Sequence, residues 1–163
     1  MADQVAALAE PETWRLVEFL ASRIRMIKGE GFHTALGEGL IILDDEDAPA
    51  NIETAATAII VDRISSASAS RVQSSSDVGV VIEFSVPRNQ DEARPTRLVH
   101  RARKDLMRVL MIDVRELPKG FTSFEVVDSQ LAEVTDDTGH SSVVAQITAR
   151  AGLTEVFQPV TNP

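Results

Sequence analysis

From Val78 to Val86 the chain alternates, with Val78, Val80, Ile82, Phe84 and Val86 on one side and Gly79, Val81, Glu83 and Ser85 on the other. A two-residue period with one apolar side predicts a strand whose inner face lies on a core. Pro87 has no amide hydrogen for a ladder, so pairing is expected to stop there. From Pro95 the period turns helical. Leu98, Ala102, Leu106, Val109 and Leu110 form one stripe, and Arg97, Arg101, Lys104 and Arg108 form another. Strand and helix are thus expected to lay apolar faces on the same core.

The same periodicities recur along the chain. Trp14, Val17, Leu20 or Ala21, Ile24 and Ile27 come at three- and four-residue steps, which predicts a helix over residues 10–28, with Pro11 and Glu12 in its first turn and Gly29 or Gly31 at its end. Short apolar pieces broken by glycines predict a strand at 32–36, a turn at 37–39 and a strand at 40–43, followed by a loop at 48–57. A β-branched run predicts a strand at 58–64. The serine-rich residues 65–77 read as a flexible hairpin tip, because they separate two strand candidates. Two further strands, 121–131 and 141–151, flank the turn "TDDTGH"; in the second, Val143, Ala145, Ile147 and Ala149 oppose Val144, Gln146, Thr148 and Arg150. The stretch from Thr154 holds two prolines and is expected to trail off, with 158–163 as a C-terminal tail. Helix, strands, helix, two strands, without strand–helix–strand alternation, indicates an α+β fold: a mostly antiparallel β-sheet with two amphipathic α-helices packed on one face, in a single domain over 1–163. The other sheet face must find cover or water.

Composition narrows the function. The chain has 163 residues, 44% hydrophobic and 25% charged, an ordinary globular balance. It has no cysteine, which removes disulfides and thiolate metal sites. No apolar run approaches the roughly 20 residues that span a bilayer, and "MADQVAALAEPE" lacks the basic start of a secretion signal, so no membrane partner and no processing are expected. Twenty-five acidic against 16 basic side chains give a net charge of -9, which repels polyanions and disfavours general nucleic-acid binding. Aromatic residues are 4%, too few for stacking platforms.

Candidate chemistry is sparse. His33, His100 and His140 stand far apart without cysteine or paired-histidine spacing, and no serine sits in a nucleophile elbow. The acids Asp44, Asp45, Glu46 and Asp47 fail the calcium-loop pattern, which needs glycine at its sixth place and glutamate at its twelfth, and read as a solvated acidic loop. The glycines of "GEGFHTALGEG" follow a helix and precede a strand, the reverse of a phosphate cradle. No cofactor, metal or catalytic residue is expected, and the chain reads as a non-enzyme. Arg97, Arg101, Lys104 and Arg108 remain as a cationic ridge open to phosphates, to solvent or to acids on another subunit.

The amphipathic helix ending in "KGEGF", the strand "VVIEFSV", the loop "RNQDEARPT", the helix "RLVHRARKDLMRVL" and the late hairpin follow one another in an order that resembles the tail terminator proteins of long-tailed bacteriophages, the minor tail protein U type. The resemblance spans residues 10–157 and rests on element order and size. It implies a homo-hexameric ring that caps the tail tube, stops its elongation and gives the head or neck a joining surface. The implied partners are further copies of the chain, the tail tube protein and a head-completion or neck protein, with DNA passing through the lumen without specific binding. The implied place is the neck region of the virion tail, after assembly in the host cytoplasm. On this resemblance Arg94, Arg97, Arg101, Lys104 and Arg108 would contact partners, and Asp44, Asp45, Glu46 and Asp47 would form part of an acidic lumen wall. The serine tract departs from a minimal member of the family. A neck connector between portal and tail, or a small-ligand α+β domain, are the alternatives.

Overall fold

The structure is a computed structural model and describes residues 9–44, 54–70, 72–88 and 94–160. Helix α1 (Glu12–Ile24) is followed by a short 3-10 turn (Leu36–Glu38), strands β1 (Leu40–Leu43), β2 (Ala56–Ala69) and β3 (Gln73–Pro87), helix α2 (Pro95–Val109), a second 3-10 turn (Val114–Glu116), and strands β4 (Phe121–Thr135) and β5 (Ser141–Val156). The strands form one five-stranded sheet in the order β1-β2-β3-β5-β4. Every neighbouring pair is antiparallel except β1 and β2, which run parallel. This is the expected α+β architecture, with both helices on one face. Most of the loop expected at 48–57 lies outside the described residues, and its last two positions already belong to β2.

The core explains why the helices share a face. On β3, Val78, Val80, Ile82, Phe84 and Val86 are all buried, as their alternation requires. Across the β3–β5 ladder large side chains face small ones, Val78 against Ala151, Val80 against Ala149 and Phe84 against Ala145. That leaves room for α2, which lies over β3 and β5 and buries Val99, Ala102, Leu106 and Val109. Helix α1 lies over β1 and β2 with Leu16, Val17, Leu20, Ala21 and Ile24 inward, and all of these join one cluster. Burying a single such aliphatic side chain contributes about 1.5–3 kcal/mol, so this one face supplies most of the stability.

Three expectations are corrected. Residues 32–36 are not a strand: the His33 and Thr34 amides donate to the Asp105 carboxylate at 3.0 and 2.8 Å, so they are spent before any ladder can use them. Gly37 is not a hairpin turn. Its amide donates to the Ile27 carbonyl at 2.8 Å, and a Cβ there would stand 2.4 Å from the Ile24 carbonyl oxygen, so glycine is needed for close approach of the backbone. Helix α1 accordingly stops at Ile24, and its last turn tightens through Met26-to-Arg23 and Ile27-to-Ile24 bonds.

The serine tract is the third. It is a hairpin but not a loose one: Ser65 pairs with Asp77, Ser66 with Ser76, Ser68 with Ser75 and Ala69 with Ser74. The chain reverses between Ala69 and Gln73, where the Ser70 amide donates to the Gln73 carbonyl at 2.7 Å. Strand β5 also runs on to Val156, pairing Ser75 with Thr154 and Gln73 with Val156. Main-chain bonds on both sides of β3 hold this extension, and they ask nothing of the side chains.

Candidate interaction surfaces

Helix α2 has Pro95 in its first turn, and no acid lies there. Arg97, Arg101, Lys104 and Arg108 are exposed on it at steps of four, three and four, and Arg94 is exposed at its N-cap. All five predicted cations therefore share one side of the molecule. They are not alike in use. Arg108 donates to the Gly31 carbonyl at 2.6 Å and lies 4.7 Å from the centre of the Phe32 ring, so it fastens the loop after α1. Beside this row, Arg103 donates to the Ser129 hydroxyl and ties α2 to β4. An open recess of about 690 Å³ at the helix start is lined by Arg88, Arg94, Pro95, Thr96, Arg97 and His100. Its Arg88 forms a two-pronged pair with Glu133, at 2.8 and 3.3 Å, joining the end of β3 to β4.

The acidic run divides. Asp44 closes β1, and its carboxylate accepts the Val61 amide at 3.2 Å, next to the β-bulge between Val61 and Arg63. Asp45, Glu46 and Asp47 lie outside the described residues.

The register assembles an acidic surface that the sequence alone does not gather. The sheet face away from the helices is uncovered by any described element, and the alternation puts Asp77 and Glu83 of β3, and Glu125 and Asp128 of β4, on it. Asp62, at the β2 bulge, reaches the same side, since its carboxylate lies over Gly79. Against these five acids stand Arg63 and Arg150, and Arg150 already pairs with Glu125 at 3.3 Å. Gln146 donates to Glu83 at 3.4 Å. The only signal in the sequence is that each acid occupies the polar phase of its own strand.

Titrating groups with displaced pKa values lie at turns and ends. The Thr138 hydroxyl, then the His140 and Thr138 amides, hold the Asp136 carboxyl below its usual range in the β4–β5 turn, where Gly139 takes φ +87°. Arg115 lowers Asp113 in the second 3-10 turn. Partial burial, then the charge of Glu12, raises Glu155. Among the described residues no three His, Asp or Glu side chains come together as a metal site, and no helix is long and apolar enough to cross a membrane.

No family profile matches the sequence, and no curated protein matches it. The fold does have solved counterparts. One is a chain from the virion of a native gene transfer agent (GTA) particle, with a TM-score of 0.60 and 11% identity, over 88% of this chain and 99% of that one. At that identity the likeness establishes the shared fold.

Proposed function

We propose that this chain is a virion assembly protein that closes into a ring on the end of a phage-type tail tube, stops its growth and gives the head or neck its joining surface. The observation that carries the reading is the fold match to a gene transfer agent virion chain, which covers nearly all of that chain and most of this one. It agrees with the element order that resembles tail terminators, and with a surface built of oppositely charged faces around one apolar core.

On this reading the bare sheet face turns to the lumen. Five acids against two arginines leave it negative, so a ring of such faces repels the DNA that must slide past it. The α2 row of Arg97, Arg101 and Lys104, on the opposite side of the sheet, meets acids of the next copy, of the tube protein or of the neck protein. Assembly then takes place in the host cytoplasm, and the finished protein sits in the neck of the virion.

The test is genetic. Particles assembled without this protein should carry overlong tails, and restoring it should return a fixed length. Leaking heads beside normal free tails would instead make it a neck connector between portal and tail.

A further inference from the structure

Two apolar surfaces are left without a partner among the described residues, and they lie in different places. The first is the end of β5 with the residues just after it: Val156 is 72% exposed, Phe157 53% and Val160 94%. Residues 156–160 carry no charge in a chain of net charge -9. The Phe157 amide donates to the Val72 carbonyl at 2.7 Å, which anchors the start of this segment beside the β2–β3 reversal.

The second is a groove of about 420 Å³ between the end of α2 and β4. Met107, Leu110, Met111 and Ile112 form one wall, Phe124 and Val126 the other, and Met111 stands 78% exposed at the mouth. Methionines make such a wall adaptable to an inserted side chain. The groove opens along β4, which ends the sheet and has a bulge between Val126 and Asp128. Of its two acidic lining residues, Asp113 is paired with Arg115 at 2.8 Å, and Glu125 turns its carboxylate to the other sheet face, where it pairs with Arg150 at 3.3 Å. An uncharged occupant therefore leaves no ion unpaired, whereas an acidic one would be repelled.

The segment cannot fill the groove of its own chain. Phe124 is level with Ala151, six residues before Phe157, or about 20 Å back along β5. Val160 lies three residues beyond Phe157, a reach of at most about 10 Å.

We infer that the apolar segment from Val156 to Val160 docks into the groove between α2 and β4 of a second copy. Donor and acceptor are different surfaces, so the contact is head-to-tail, the type that builds a ring when the rotation between copies closes. This inference rests on the ring reading and supplies one of its joints.

The absence of native cysteine gives a clean test. Val160→Cys protein is mixed with Met111→Cys protein and oxidised, free and bound to tail tubes, with Val160→Cys and Arg97→Cys as the control pair. A disulfide-linked dimer from the first pair, absent from the second, is the expected result, and Phe157→Ser with Val160→Ser should lower the sedimenting mass. Copies that associate while the first pair forms no disulfide overturn the docking and leave the ring intact. A chain that stays monomeric at every concentration and on tubes overturns both.

Discussion

The carboxylate of Asp105 on α2 holds both the amide and the hydroxyl of Thr34 at 2.8 Å, and takes the His33 amide as well. Asp105 is fully buried, so these three bonds replace its water and fix the loop after α1 against the second helix. Asp105→Ala should cost about 3–5 kcal/mol, because it strands two buried donors of Thr34 and the part-buried His33 amide at once. Thr34→Val removes one bond and should cost about 1–2 kcal/mol. Urea denaturation of the two variants checks the ranking, and equal losses would mean that the clamp is not the cause.

The elements with a clean period are the legible ones. Strand β3 and helix α2 can be read because every second, or every third and fourth, side chain repeats the same choice. The loop at 32–36 cannot, because the group that captures its amides lies 71 and 72 residues away and is hidden as one polar position in an apolar stripe. The serine extension is hidden for the related reason that main-chain pairing with β5 leaves no mark in composition. As for the surfaces, the five cations can be gathered because one helix carries or caps them, whereas the acids of the bare face lie on three strands and meet only through the register.

Pairing on both sides of β3 makes the serine extension sensitive where a loop would be tolerant. Ser75 pairs with Ser68 on one side and Thr154 on the other. Ser75→Pro should lose at least about 2 kcal/mol of stability, since a proline in a middle strand removes a ladder donor and clashes with a neighbour. Ser75→Thr should cost nothing measurable. Thermal unfolding of the pair distinguishes a ladder from a loose tip.

The β4–β5 turn has a pH signature. The pKa of Asp136 is lowered in the fold, first by the Thr138 hydroxyl, so its contribution is present above the unfolded carboxylate value of about 3.9 and is lost as pH falls through the folded one. Glu155 has the opposite sign. Its raised pKa gives a contribution that is full below the unfolded value of about 4.3 and lost as pH rises through the folded one. Asp136→Asn should therefore lower Tm at pH 7 but not at pH 2, whereas Glu155→Gln should raise Tm at pH 7 relative to pH 4.

The cationic row on α2 separates folding from assembly. Arg97, Arg101 and Lys104 are exposed, so reversing all three to Glu should shift stability by less than about 1 kcal/mol. On the assembly reading the same change should abolish tail-length control in complementation, and single reversals should weaken it in a salt-dependent way. A triple variant that restores fixed-length tails would remove this row from the joint.

The bare sheet face gives the most direct test of a slippery wall. Glu83 and Asp128 sit on it without an arginine partner, unlike Glu125, which holds Arg150. Reversing both to Lys changes the face from five acids against two cations to three against four; Asp128 is exposed and its change should cost about 0.5 kcal/mol or less, whereas Glu83 is half-buried and loses its bond from Gln146, for about 1 kcal/mol. The wild-type protein should show no retention on duplex DNA at physiological salt, whereas Glu83→Lys with Asp128→Lys should bind it and release it as salt rises. In assembled particles the same pair should slow DNA exit without altering tail length, because the lumen face and the length-setting edges are different surfaces. If the reversed face changes tail length and leaves DNA exit untouched, that face belongs to the joint between subunits and not to the channel.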